Sequence, residues 1–207
     1  MKGLSYTQEY ILCAIERRKR KVLVIDEYSA CLLAGCLNEL LDCSFVTRAK
    51  KGGFELGDSN EGCPPHLKPM QEVIESLKRP IGLLEIVLTC TSRRLSQLNS
   101  WICDSLVEAE CADKSEKRRM FEEKDNIVPK AEVVRNIIEK VRTEFLNDGE
   151  LTHETECLAS LLFADGLISD YFSKYEAEVL KRRLKEVRGS ALFSLLKDVS
   201  ECDYGGC

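Results

Sequence analysis

Histidine and tryptophan are almost missing from this sequence: two of the first and one of the second among 207 residues. His66 lies in a Pro-rich stretch and His153 at a helix start, neither near a candidate nucleophile in sequence. Both read as exposed or capping polar residues. There is no Cys-x-x-Cys and no Gly-rich phosphate loop of the Walker or dinucleotide kind; Lys51-Gly52-Gly53 is a turn signal only. Carboxylates are plentiful but form no pair at metal or acid/base spacing, and Glu27 and Glu39 read as solvent-facing or capping. The expectation is a non-enzyme with no cofactor. No run approaches 18 apolar residues, which excludes a spanning helix, and Met1 to Tyr10 lacks the apolar core of a secretory signal. A basic excess is also absent: 30 Lys and Arg stand against 35 Asp and Glu, a net charge of −5. That weighs against a general nucleic-acid binder.

What the chain has in quantity is apolar side chains, at 44%, together with 31% charged residues, the composition of an ordinary globular protein. A chain of this length buries roughly 70% of its unfolded surface without staples. It also has eleven cysteines. An odd count with no secretory signal argues against a disulfide framework. Cys63-Pro-Pro-His66 and His153-x-x-x-Cys157 would together supply four zinc ligands, but neither pair has a partner at finger-like spacing. Cys31, Cys36, Cys90, Cys103 and Cys157 sit in apolar helical stretches and read as small buried hydrophobes. The expectation is reduced, mostly buried thiols in a cytoplasmic protein.

Apolar periodicity organises the chain into helices. Leu4, Ile11, Leu12 and Ile15 share one side of a first helix, and Val22 to Ile25 is a short strand candidate. Leu33, Cys36, Leu37, Leu40 and Leu41 make a strongly apolar helix containing Gly35, which suggests close approach of another backbone. Phe45-Val46-Thr47 and Phe54-Glu55-Leu56 flank Lys50 to Gly53 and predict a β-hairpin. Residues 57–69 are a Gly- and Pro-rich connection. Three helical patterns follow: Met70, Val73, Ile74 and Leu77; the dense apolar run 82–90; then Leu95, Leu98, Ile102 and Leu106 with Trp101 beside them. Residues 113–126 are polar and predict a loop or a short hairpin. Val133, Val134, Ile137, Ile138, Val141 and Phe145 form a helix that stops near Asn147-Asp148-Gly149. Residues 156–164 are helical, with a break at Asp165-Gly166. Ser173 to Glu176 is a capping box opening a helix with Ala177, Leu180, Leu184 and Val187 inward. A last amphipathic segment runs over 191–199. With no fixed repeat and no linker, the expected fold is mainly α: a single compact helical domain over 1–200 with one or two short β-hairpins, and a frayed tail at 201–207.

Positive charge is concentrated in three places. Arg17, Arg18, Lys19, Arg20 and Lys21 are consecutive; Arg93 and Arg94 open a helix; Lys117, Arg118 and Arg119 precede Met120 and Phe121. Each alone reads as solvated surface. Together, on an acidic chain, they suggest one face for anions. Met120 and Phe121 beside three basic residues have the composition of a shallow membrane-contacting loop.

The order of these elements resembles the Golgi phosphoprotein 3 family of phosphatidylinositol 4-phosphate-binding peripheral Golgi proteins and their bacterial relatives. The resemblance runs from about residue 4 to residue 198. It is carried by Leu4 to Ile15, by Leu33-Ala34-Gly35-Cys36-Leu37-Asn38-Glu39-Leu40-Leu41 followed by Phe45, and by Leu106-Val107-Glu108. Leu161 to Leu167 and Lys181-Arg182-Arg183-Leu184-Lys185-Glu186 complete it. It implies a mostly helical domain with a β-hairpin that promotes homo-oligomers. It also implies binding of the lipid headgroup, of coatomer and of glycosyltransferase cytosolic tails, on the cytosolic face of Golgi membranes in a eukaryote. The family's Trp and Arg lipid-pocket positions fall on Val24, Leu33, Ser96 and Asn99, so none of the four is kept. The resemblance therefore implies a peripheral membrane adaptor that reads total lipid charge more than headgroup identity, through Arg17, Arg18, Arg20, Arg93 and Arg94. Arg118, Arg119, Met120 and Phe121 are the expected oligomer or membrane contact. The alternative is a protein-interaction scaffold that has lost lipid recognition and binds partner tails only.

Overall fold

A computed structural model describes residues 3–17, 27–49, 53–57, 63–76, 82, 86, 92–115, 127–147, 149–186, 192 and 195–196. The described elements are eight helices and two antiparallel hairpins, so the fold is mainly α. In chain order they are α1 (Tyr6–Arg17), α2 (Glu27–Asp42), β1 (Val46–Arg48), β2 (Phe54–Leu56), a 3-10 turn (Pro65–Leu67) and α3 (Lys68–Ser76). Then follow α4 (Ser92–Glu108), β3 (Ala112–Lys114), β4 (Ile127–Pro129), α5 (Ala131–Leu146), α6 (His153–Ala164), α7 (Ile168–Tyr171) and α8 (Lys174–Glu186). The strand candidate at 22–25, most of the helical run 82–90, Val187, most of 191–199 and the tail 201–207 lie outside the described residues. Among the described residues no helix is long and apolar enough to cross a membrane. The chain groups into two compact units, each made of separate stretches: 1–22 with 103–190, and 23–102 with 191–207.

In the first unit, α1 packs against α5, α6 and β4. Its sequence predicts one apolar side, yet every residue from Tyr6 to Ala14 is buried, including Thr7, Gln8 and Glu9. Neighbouring elements supply partners for Gln8 and Glu9, which is the condition for burying such side chains. Gln8 Nε2 donates to Ser105 Oγ at 2.9 Å, and Lys140 Nζ reaches the two Glu9 carboxylate oxygens at 2.8 and 2.6 Å. A capping box opens the helix: Gln8 N–H donates to Ser5 Oγ (3.3 Å) and Ser5 N–H to Gln8 Oε1 (3.1 Å). The capping box read at Ser173 is present as well. Ser173 N–H donates to Glu176 Oε2 at 2.7 Å, and Glu176 N–H to Ser173 Oγ at 3.4 Å. Val134, Ile137, Ile138, Val141 and Phe145 of α5 and Ala177, Leu180 and Leu184 of α8 are buried as their spacing predicts. Gly166, at φ +74°, ends the run after α6 in a conformation that favours glycine. The hairpin β3–β4 pairs Ala112 with Pro129, Asp113 with Val128 and Lys114 with Ile127, flanking the polar stretch.

In the second unit, β1 and β2 pair Val46 with Leu56, Thr47 with Glu55 and Arg48 with Phe54, and β1 packs on α2. Gly57 closes this hairpin through its N–H to the Phe45 carbonyl at 2.8 Å. No other residue fits there, because a Cβ at 57 would lie 1.9 Å from the Ser44 carbonyl oxygen. The closed hairpin returns the chain to the end of α2, and there the sequence expectation about cysteines fails. Cys43 and Cys63 are joined in a disulfide with Cα atoms 5.5 Å apart. Their 20-residue separation in sequence gives no hint of it; the hairpin between them brings them together. The other described cysteines are free thiols, all buried except the half-buried Cys111.

Two polar readings are also corrected in this unit. His66 and Glu39 are neither exposed nor capping: each side chain is 4% exposed, and His66 Nε2 lies 2.9 Å from Glu39 Oε2. Burial requires such a partner, and the 3-10 turn supplies it by seating His66 against α2.

Candidate functional site

The second unit contains a groove of about 270 Å³ between α3 and α4. Its apolar lining comes from Pro69, Met70 and Val73 of α3 and Leu95 and Leu98 of α4. Met70, Val73, Leu95 and Leu98 are the residues that the helical spacing of both segments places inward. Its polar lining comes from Glu72 and Ser76 of α3 and Arg94 and Gln97 of α4. Arg94 is exposed. Seven residues on, two turns along the same helix, Trp101 is 47% exposed. Its indole N–H donates to the Pro65 carbonyl at 3.3 Å, so the one polar atom of the ring is satisfied. α4 thus presents along one line a guanidinium that lines the groove and, two turns on, an exposed indole. An indole with its N–H already paired offers apolar surface at low cost, and an Arg offers a bidentate fork to phosphate or carboxylate oxygens.

The basic residues singled out in the sequence fare unequally. Arg17 ends α1 in the first unit and is exposed. Its Nε is 3.3 Å from Glu16 Oε2, and its guanidinium carbon stands 4.7 Å from the centre of the Tyr171 ring. The Tyr171 hydroxyl lies 2.7 Å from the Cys13 carbonyl oxygen and 2.8 Å from Glu16 Oε2. Burial, the Cys13 thiol and the Glu16 carboxylate hold the Tyr171 hydroxyl well above its ordinary pKa, so it stays a proton donor. Arg17 is therefore held by a carboxylate and a ring while keeping an outward charge. Arg18 and Arg20 lie outside the described residues, as do Arg118, Arg119, Met120 and Phe121, and Arg93 is described only as a backbone position in α4. Of the positions matched to the family's lipid pocket, Leu33 is buried, Ser96 is exposed, and Asn99 Oδ1 accepts the Tyr28 hydroxyl. Val24 lies outside the described residues.

No family model and no curated protein matches this chain. Its function is therefore read from its own residues. Among the described residues no group of three or more His, Cys, Asp or Glu side chains is placed to hold a metal ion. The sulfur of Cys63 is bonded to Cys43, and that of Cys157 lies 3.6 Å from His153 Nε2 within one turn of α6. Tyr6 meets His153 edge-on, with ring centres 6.2 Å apart.

Sequence reasoning named Arg94 and noted Trp101 but missed the groove. The stripe Met70–Val73 carried the signal for one wall and Leu95–Leu98 for the other. That the two walls face each other is a fact of packing, which neither stripe contains.

Proposed function

We propose that this protein is a peripheral membrane adaptor that binds anionic lipid headgroups, phosphatidylinositol 4-phosphate among them. In this reading it serves Golgi trafficking by retaining glycosyltransferases, with coatomer as a further partner and self-association through the segment from Lys117 to Ile127, where Arg118, Arg119, Met120 and Phe121 make the contact. The observation that carries the reading is the exposed Arg94–Trp101 line beside the apolar groove of α3 and α4. A cation that pairs with phosphate and an indole that sits at the headgroup level are the two side chains a bilayer interface rewards. Each basic residue held near an anionic leaflet contributes about 1 kcal/mol, and the contribution fades beyond a Debye length of roughly 10 Å at 0.1 M salt. The sequence clusters at 17–21 and 93–94 hold seven of the chain's 30 basic residues, local concentrations of positive charge on a chain whose net charge is −5. The resemblance of the sequence's order of elements to the Golgi phosphoprotein 3 family points the same way.

Flotation with vesicles tests it. Neutral phosphatidylcholine vesicles should leave the protein behind, and vesicles carrying phosphatidylserine or phosphatidylinositol 4-phosphate at matched total charge should carry it up about equally. Binding should weaken steeply with salt, and Arg94→Glu combined with Trp101→Ala should abolish it while the circular dichroism stays unchanged. Salt-insensitive binding, or binding that survives both substitutions, would remove this surface as the lipid site. The groove itself favours a second reading, a scaffold for partner tails. Its apolar lining, with an acid (Glu72) and a base (Arg94) among the polar lining residues, matches an extended peptide as well as a lipid. Failure to float with any vesicle, together with saturable binding of a basic-apolar tail peptide, would favour that reading.

A further inference from the structure

Of the described cysteines, Cys13, Cys31, Cys36, Cys103 and Cys157 are buried free thiols, out of reach of exchange in the folded protein. Burial and the nearby Glu9 and Glu16 carboxylates hold the Cys13 thiol far above its ordinary pKa, and burial also raises that of the half-buried Cys111. Cys43 and Cys63 are different: both are partly accessible and they face each other. We infer that Cys43 and Cys63 are a reversible thiol-modification site, a clasp closed by low-molecular-weight disulfides and opened by thiols, which sets the seating of residues 64–67 on α2.

The geometry gives the clasp something to hold. Cys43 lies in the turn after α2, its N–H bonded to the Glu39 carbonyl at 3.1 Å. Cys63 directly precedes Pro64-Pro65-His66-Leu67. The two prolines have fixed φ, so a tether at 63 is passed stiffly to 65 and 66. Residue 66 puts its imidazole on the buried Glu39 carboxylate, Leu67 is fully buried, and the Pro65 carbonyl accepts the Trp101 indole N–H. With the disulfide closed, the short segment is fixed at both ends of its first turn. With it open, the segment keeps the His66–Glu39 pair, the buried Leu67 and the Trp101 bond to Pro65 but loses its tether at 63.

The chemistry balances with a named oxidant. One protein thiolate attacks oxidised glutathione, its S–S bond breaks, one glutathione leaves as thiol and a mixed disulfide forms. The second protein thiolate attacks that mixed disulfide and expels the second glutathione. Two electrons pass from the protein to glutathione, and the protein's two thiol protons end on the two glutathione thiols. The reverse sequence opens the clasp.

The chain carries its own reporter, because Trp101 is its one tryptophan and it touches Pro65. The full chain is equilibrated across ratios of reduced to oxidised glutathione, then alkylated and mapped by mass spectrometry, with tryptophan emission recorded in parallel. The expected result is a single transition in which the Cys43–Cys63 linked peptide replaces the two alkylated ones, and the emission maximum shifts with the same midpoint. Cys43→Ser and Cys63→Ser each lose both signals, and Cys111→Ser keeps both. The inference is overturned if the two residues are alkylated at every ratio, or stay linked in folded protein under excess dithiothreitol. It is equally overturned if the linkage forms with no emission change, or if the emission change persists in both serine variants.

Discussion

Arg183 gathers the loose end of a helix, and removing it gives a quantitative test of how the first unit is held. Its Nη1 lies 2.9 Å from the carbonyl oxygens of Glu144 and Phe145 and 2.5 Å from that of Asn147, and its Nη2 is 2.6 Å from that of Gly149. Those carbonyls belong to the last turn of α5 and the residues just after it, where intrahelical donors run out. The guanidinium carbon also stands 5.7 Å from the centre of the Phe145 ring. Nη1 has two protons for three acceptors, so about three full charged hydrogen bonds are made. Asn147 and Gly149 are exposed and rehydrate when the guanidinium goes, whereas Phe145 is buried and Glu144 half-buried. Leaving those two carbonyls under-satisfied costs about 1–2 kcal/mol each. The lost cation at the helix C-terminus adds about 0.5 kcal/mol. Arg183→Met should therefore destabilise by roughly 2.5–4.5 kcal/mol, lowering Tm by about 5–18 °C at roughly 2–4 °C per kcal/mol for a chain of this size. Arg183→Lys keeps the charge but not the fork, and should fall between the two. Thermal unfolding followed by circular dichroism at neutral pH is the measurement. A Tm for Arg183→Met within about 2 °C of wild type, or Arg183→Lys equal to wild type, would refute the reasoning.

Burial raises the Glu9 carboxyl above its ordinary 4.5, against the opposing pull of Lys140 and with the nearby Glu154 and Glu144 adding to the rise. The folded state then holds a proton on Glu9 that the unfolded chain has released. This contribution to stability is complete below about pH 4.5 and lost as pH rises through the folded value. Glu9→Gln should flatten the pH dependence of Tm above 4.5, and an unchanged slope there would count against the assignment. Glu144 and Glu176 run the other way. Hydrogen bonds from Thr152 and Thr155, and from Ser173, hold their carboxyls below 4.5, so their contributions are present above 4.5 and fade as pH falls through the folded values. Gly57→Ala forces a methyl into the Ser44 carbonyl and should cost about 2 kcal/mol or more in denaturant unfolding, since hairpin backbone must move. A midpoint equal to wild type would show that the turn at Gly57 adjusts freely.

The apolar periods alone place α4, α5, α6 and α8, and Val134, Ile137, Ile138, Val141 and Phe145 of α5 and Ala177, Leu180 and Leu184 of α8 are buried as their stripes predict, because a helix sorts side chains by angle and water enforces the sorting. The first hairpin was legible from Gly52-Gly53 between two alternating runs, shifted by one residue at β1. The capping box at Ser173 was legible because it is local. α1 was only half legible: its apolar stripe is real, but the burial of Gln8 and Glu9 depends on Ser105 and Lys140, which lie 97 and 131 residues away in sequence.

At the candidate site the division is the same. Arg94 and Trp101 are two turns apart on one helix, so their alignment is fixed by sequence through the 3.6-residue period. The groove is lined by residues of both α3 and α4, and the pairing of Trp101 with Pro65 depends on where the 3-10 turn is seated. His66 against Glu39 and Cys43 against Cys63 were read as surface and as separate thiols. A linear pattern records which residues share a face of their own element; which face meets which is decided by long-range burial and by the hairpin, closed at Gly57, that returns residue 63 to residue 43. Sequence by itself determined the helical class, the element order and the amphipathic faces, since these rest on local backbone geometry and the hydrophobic effect. Only tertiary structure decided the partners of the buried polar groups, the disulfide and the groove, because each joins side chains that no local period connects.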